Sequence, residues 1–259
     1  MKNIKNIVRR VLLAIAIPAA VVIFWIYAKA TMDIPDGILP TIKAVGAALV
    51  EMSSSGQLWE DLGVSLSRVL KGFLVSAVLG IIFGSLIGMF RTVRELFKPM
   101  FTVMRQIPMI AWIPLIILWF GIGELSKVVI IVLAAFFQVM VNTESGIEQT
   151  PEDYLEVAKL YRLNPWKTFT KVYLPHALPQ ILVGLKLALS VSWMAVVAAE
   201  LIAATSGIGY RMSNARSLMQ SDVVIVCMIV VGIIGIIMDK GIGLIVESFT
   251  PWKKLEKKK

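Results

Sequence analysis

The segment Thr150-Pro-Glu-Asp-Tyr-Leu-Glu156-Val-Ala-Lys-Leu-Tyr-Arg162-Leu-Asn-Pro165-Trp-Lys-Thr-Phe-Thr-Lys-Val-Tyr-Leu174-Pro175 decides how the chain is read. It is the longest polar interval between strongly apolar stretches. It holds two helix starts in succession. Thr150 is placed as an N-cap with Pro151 at the first helical position, where the missing N–H costs nothing. Glu152 and Asp153 then favour the positive end of the helix dipole. Asn164-Pro165 repeats the pattern, and the residue before a proline is driven out of the helical region. Two short helices are predicted, about 151–161 and 165–173. Tyr154, Leu155, Ala158 and Tyr161 share one face of the first; Trp166, Phe169 and Val172 share one face of the second. A pair too polar to enter lipid reads as a docking element at a membrane surface.

Composition supplies the membrane. Hydrophobic residues make up 58% of the chain and charged residues 17%, too apolar for a soluble domain of this length. Several continuous apolar runs reach about 18 residues or more, each enough for a transmembrane helix. Continuous rather than alternating runs exclude a β-barrel. The net charge of +9 fits basic cytoplasmic loops rather than nucleic-acid binding. A single cysteine, Cys227, and a single histidine, His176, leave no intrachain disulfide and no His/Cys metal site. No cofactor is expected.

The spans follow in order. Lys2, Lys5, Arg9 and Arg10 precede an apolar run over 11–27, read as a retained first helix in residues 1–30 rather than a cleaved signal. Residues 31–57 form an external segment with a short helix at 41–52 and a Ser53–Gly56 linker. The second span, about 62–90, carries Arg68 and Lys71, which are expected to snorkel to the outer interface. Gly72, Ser76, Gly80, Gly84 and Gly88 make a small-residue stripe for close helix approach, within the chain or against a second copy. Arg91, Arg94, Lys98 and Arg105 mark a cytoplasmic loop. Pro99, Pro108 and Pro114 then forbid one uninterrupted helix. From Pro108 to Phe120 a helix would be only about 20 Å long. A broken helix at membrane depth needs neighbours or a water-filled cavity, so Pro108, Trp112 and Pro114 are candidates for a translocation pathway.

The fourth span, 125–141, returns to the 150–175 loop, and the fifth covers about 177–204. Gly184, Ala188 and Ser192 form a second small-residue stripe, with Ser192 a further pathway candidate. Lys186 is expected to snorkel. Glu200 lies deeper, and an ionisable group there either serves the pathway or meets a buried partner. Thr205–Ser221 reads as a short external helix, 223–238 as the sixth span, and 247–259 as a basic cytoplasmic tail. About six spans result, with both termini cytoplasmic.

The 150–175 segment resembles the EAA loop of binding-protein-dependent ABC importer permeases. Glu156, Val157 and Ala158 fill its first three positions; Val172, Leu174 and Pro175 fill its last three in register. Arg162 stands where the pattern has glycine. A left-handed Arg162 would cost about 1–2 kcal/mol, so the bend is expected at Leu163-Asn164, using the Asn164-Pro165 cap. Ser65–Phe73, Ala111–Gly123, Ala199–Ile202 and Gly207–Tyr210 are similar to the nitrate/sulfonate/taurine branch. The resemblance implies an all-α, polytopic type I (MetI-like) permease fold with its core at 58–246, in a bacterial inner cell membrane. It implies two permease copies, a cytoplasmic ABC ATPase seated on the 150–175 loop, an extracytoplasmic substrate-binding protein and surrounding lipid. Glu156 would make a polar contact in the ATPase groove. The chain lacks a Gly-x-x-x-x-Gly-Lys-Ser/Thr phosphate loop, so ATP hydrolysis falls to the partner and this subunit is not an enzyme. The expected cargo is a small anion, a sulfonate, taurine or nitrate. The alternatives are a neutral vitamin precursor carried by the same mechanism, or an ion-coupled secondary transporter, which would need more ionisable groups at midplane.

Overall fold

The computed structural model describes residues 2–249, with side chains from residue 15 onward. The basic tail 252–259 lies outside the described residues, as do the side chains of Lys2, Lys5, Arg9 and Arg10. Everything described is helix, turn or coil. The helices are α1 (Lys2–Thr31), α2 (Ile42–Ser54), α3 (Gln57–Met89), α4 (Arg91–Gln106), α5 (Met109–Phe120), α6 (Glu124–Glu148), α7 (Glu152–Leu160), α8 (Pro165–Thr168), α9 (Leu174–Ala203), α10 (Ile208–Ser217) and α11 (Ser221–Phe249).

Two compact units emerge: residues up to Leu58 with Arg211–Ile229, and Trp59–Tyr210 with the segment from Val230 onward. In the first, α1 exposes Ile17, Ile23 and Phe24, as a lipid-facing helix does. Trp25 Nε1 donates to the Pro40 carbonyl at 2.9 Å. Thr41 caps α2 by accepting from the Ala44 N–H at 3.2 Å, and α2 buries Val45, Ala48 and Met52 along one face. At the end of α10, Met219 takes a left-handed φ of 56°. Its N–H bonds the Arg216 carbonyl, and that of Gln220 bonds the Ala215 carbonyl, a Schellman closure on a residue other than glycine.

The second unit is arranged around α6, which buries Ile131, Ala135, Val139 and Ile147. On one side lies the small-residue stripe of α3. A Cβ added to Gly72 would come within 2.5 Å of Ile131, one on Gly80 within 2.6 Å of Val139, and one on Gly84 within 2.5 Å of the Met140 carbonyl oxygen. Gly88 meets Ile147, and Ser76 between them is buried. On another side lies α9, with Gly184 against Asn142 and Ala188 packed with Ala135 and Val139. Ser192 is buried and donates to the Ala188 carbonyl at 2.8 Å. Further along the chain, Trp193 Nε1 donates to the Val231 carbonyl of α11 at 3.1 Å. Lys186 pairs with Asp239 at 3.1 Å.

Among the described residues, four helices are long and apolar enough to cross a bilayer: α3, α6, the run Pro165–Ala203 and α11. The pair α4 and α5, bent by 101°, adds a fifth if the two count as one broken span. The sequence expectation of about six adds α1, whose described apolar stretch is Ile15–Thr31.

Several boundaries differ from expectation. The basic segment after α3 is a helix, α4, not a loop. Val93, Phe97, Phe101 and Met104 recur at helical spacing and pack on Phe137 and Met140 of α6. Edge-to-face rings join Phe83, Phe101, Phe136 and Phe137 there. The polar face of α4 is held by Arg94–Glu148 at 3.1 Å and Lys98–Glu144 at 2.7 Å. Only Pro108 breaks the chain; Pro99 and Pro114 sit inside α4 and α5. Glycines 241 and 243 do not end α11, which runs on to Phe249.

Candidate coupling segment and buried polar cluster

The 150–175 segment departs from its predicted form in three places. Thr150 is not the cap of α7. Pro151 holds that position, while the Thr150 side chain turns inward and its Oγ1 is buried without a hydrogen-bond partner. Secondly, Arg162 itself is left-handed, with φ 49°, so the bend is not displaced to Leu163-Asn164. The Arg162 N–H bonds the Lys159 carbonyl at 2.9 Å and the Leu163 N–H bonds the Ala158 carbonyl at 3.0 Å. These are the two bonds of a Schellman motif. They offset the roughly 1–2 kcal/mol that the left-handed geometry costs a residue with a Cβ. Thirdly, the second helix does not stop near Tyr173. Asn164 caps α8 as expected, its Oδ1 accepting from the Lys167 N–H at 2.8 Å. Then α8 passes through a π-helical turn, Phe169–Tyr173, directly into α9. Leu174 and Pro175 open α9 directly after the π turn, so Pro175 falls within one continuous helical run.

The result is a short helix, α7, clamped to the foot of a long continuous one. Ala158 is buried, Tyr154 packs edge-on to His176 at 6.4 Å, and Trp166 lies 5.8 Å from Phe169. Glu156 is exposed. Around it Val157, Tyr161, Leu160 (81% exposed) and Trp166 (70% exposed) leave a broad apolar and aromatic surface uncovered. Of the face predicted for the first helix, Ala158 turns inward and Leu155 is half-buried, while Tyr154 and Tyr161 look out.

A second feature was not foreseen. Arg68 does not snorkel: it is 1% exposed, as is Glu200. Its Nη1 donates to Glu200 Oε1 at 2.7 Å and to the Ser206 carbonyl at 2.8 Å. Nε and Nη2 form a two-pronged pair with Glu124, and Nη2 also donates to Ser206 Oγ. All five guanidinium donors are thereby used.

Glu200 completes the network. It accepts from Ser65 Oγ at 2.9 Å and from the Gly209 N–H at 3.0 Å. Ser65 Oγ accepts from the Ile208 N–H and Asp61 Oδ1 from the Gly207 N–H, both at 3.0 Å. The first amides of α10 thus point at acidic and hydroxyl oxygens, as helix N-termini favour. Gly207, with φ 105°, leaves no room for a side chain: a Cβ there would lie 2.4 Å from Glu200 Oε1. Nearby, Lys127 is buried and donates to the Gly123 carbonyl at 3.1 Å. The cluster joins α3, α6, α9 and the start of α10. The signal in the sequence was present: an arginine and a glutamate, each inside an apolar helix, pair by preference with one another.

The other pathway candidates fall at the bend. Pro108 is exposed at the N-cap of α5, Pro114 is exposed on that helix and Trp112 is half-buried. Ser192 and Glu200 are buried within the unit, and Glu200 pairs with Arg68.

The fold is a multi-helix membrane architecture with a short surface helix clamped between two spans. The family profile for binding-protein-dependent transport system inner membrane components matches residues 76–250, and the chain belongs to that family. It is 35% identical to a putative ABC transporter permease protein of Methanocaldococcus jannaschii, covering 98% of this chain and 97% of that one. A putative aliphatic sulfonates transport permease protein of Escherichia coli K12 is 36% identical over 91% of this chain and 90% of its own length. The nitrate import permease protein of Leptolyngbya laminosa is 33% identical over 77% and 71%. Among solved structures, a chain of the inward-facing methionine ABC transporter MetNI covers 81% of this chain and all of its own, with a TM-score of 0.59 at 18% identity, which shows the fold. The chain is therefore a multi-pass membrane permease of an ABC importer, and its relatives lie in the sulfonate, taurine and nitrate branch.

Proposed function

We propose that residues 150–175 form the seat of a cytoplasmic ATPase subunit and convert its closure into movement of α9. The observation that carries this is the uncovered face of Val157, Leu160, Tyr161 and Trp166 around Glu156, on a unit that is both clamped and continuous with a membrane span. Exposed patches of this kind mark protein interfaces. Glu156 supplies a charged contact beside the apolar anchors, Arg162 fixes the angle between the two short helices, and Asn164-Pro165 sets the start of the second. Because α8 continues into α9, a displacement of the seat tilts the span itself. Alternating access then follows from contacts that differ between the open and closed ATPase.

In this reading two copies of the chain enclose the pathway, with Pro108, Trp112 and Pro114 near it and the core module at 58–246. Residues 31–57 form the external segment, and an extracytoplasmic substrate-binding protein delivers the cargo. The cargo is a small anion of the sulfonate, taurine or nitrate type, which the names of the relatives support. Cys227 is buried, so a Cys227→Ser background permits a single reporter. Leu160→Cys should crosslink to the ATPase subunit in the assembled transporter, and the crosslink should alter transport. Absence of a crosslink at Leu160 and at Glu156→Cys would remove the seat from this segment.

A further inference from the structure

A groove of about 350 Å³ opens between the end of α3 and the α8 segment, walled by Ile82, Ser85, Leu86, Phe90, Trp166 and Phe169. Its size is at the small end of ligand pockets, about 300–1,000 Å³. We propose that it is a binding site for an anionic glycerophospholipid, with one acyl chain in the groove and the headgroup on Lys167.

Three observations choose that occupant. The groove lies where the apolar run of α3 ends at Phe90 and Arg91 begins, the depth at which acyl chains give way to headgroups; Trp166, 70% exposed, suits that boundary. Secondly, the wall contains one polar side chain, Ser85, which is 93% buried by its 7% exposure, and its Oγ has no hydrogen-bond partner. A buried hydroxyl without an acceptor is costly, and the ester carbonyl of a glycerolipid supplies one beside its acyl chain. Thirdly, an exposed cation adjoins the wall: Lys167 follows Trp166, whereas Arg91, which follows Phe90, pairs with Glu95 at 2.8 Å. Anionic headgroups are drawn to such sites. A free phosphate would leave the apolar wall empty, and a neutral lipid would leave Lys167 without a counter-charge.

The site joins α3 to the proposed ATPase seat, so bound lipid would stiffen the foot of α9. It rests on that seat only for this consequence; lipid occupancy itself is independent of ATP coupling. The test uses the assembled transporter in nanodiscs, with phosphatidylglycerol carrying a photoreactive acyl chain. Labelling should fall on peptides containing Leu86, Trp166 or Phe169, and unlabelled phosphatidylglycerol, not phosphatidylcholine, should compete. Lys167→Glu should cut labelling by roughly tenfold, since it exchanges an attractive charge for a repulsive one. Ser85→Ala should cut it several-fold, with the protein still folded. Equal labelling by a photoreactive phosphatidylcholine, or none of these losses in the variants, overturns the proposal. So does failure to label while a crosslinker at Leu86, a wall residue outside the seat, captures the ATPase or a second permease copy, which would make the groove a protein interface. The Leu160→Cys crosslink remains a separate readout, so loss of the seat and loss of the lipid site are distinguished.

Discussion

Replacing Glu200 by glutamine removes one charge and almost no volume from the cluster that joins α3, α6, α9 and α10. The side chains of Arg68 and Glu200 have only 2% and 0% of their surface exposed, so water does not replace the lost carboxylate. Glutamine keeps one oxygen, but its amide presents two hydrogens to a site already filled with donors: Arg68 Nη1, Ser65 Oγ and the Gly209 N–H. Breaking a buried pair by removing one partner costs about 3–5 kcal/mol. Glu124, still paired with Arg68, holds the effect toward the lower end. For a chain of this size that corresponds to a fall in melting temperature on the order of 10 °C. The assay is thermal unfolding of the detergent-purified transporter, followed by the monodisperse fraction on size exclusion. Replacing both members by apolar residues, Arg68→Met with Glu200→Leu, should cost less than Glu200→Gln alone, because no buried charge is left uncompensated. If Glu200→Gln assembles and melts within about 2 °C of the parent, well below the stated scale, the network is not a structural anchor and the argument from burial fails.

Gly84→Ala places a methyl within 2.5 Å of the Met140 carbonyl oxygen, a backbone atom that cannot swing away. It should destabilise by about 1–3 kcal/mol through overpacking, whereas Gly63→Ala, with nothing within 4 Å, should be neutral or slightly stabilising in the same melt. Arg162→Gly relieves the left-handed strain, about 1–2 kcal/mol, against roughly 0.4–1 kcal/mol of extra chain entropy lost by glycine. Amide exchange at Leu163, whose N–H closes the motif on Ala158, should slow or stay level; faster exchange would contradict the assigned strain.

The spans were legible because a bilayer demands long apolar runs, and nothing else in the chain imitates them. Boundaries were less so. The charges of Arg91–Gln106 suggest a loop, whereas the apolar repeat of Val93, Phe97, Phe101 and Met104 is what makes it a packed amphipathic helix. Prolines 99 and 114 lie exposed inside α4 and α5, where each removes one backbone hydrogen bond without ending the helix. The glycine position of the EAA pattern located the turn correctly. The residue rule that arginine avoids left-handed geometry did not, because two capping hydrogen bonds outweigh a modest local strain. Arg68 shows the same limit: snorkelling follows from a single helix, whereas its partners Glu124 and Glu200 come from two others. The motifs at Ser65, Glu200 and Gly207 were recognised separately, and only the fold brings them to one site.

The central claim is that the 150–175 segment passes ATPase closure to the pathway. It is tested most directly by Glu156→Lys in proteoliposomes containing the full transporter, with substrate uptake and ATP hydrolysis measured together. Glu156 is exposed, so insertion and the melting temperature should stay at the parent values while uptake per ATP hydrolysed collapses. Uptake and hydrolysis both at parent levels would contradict the claim.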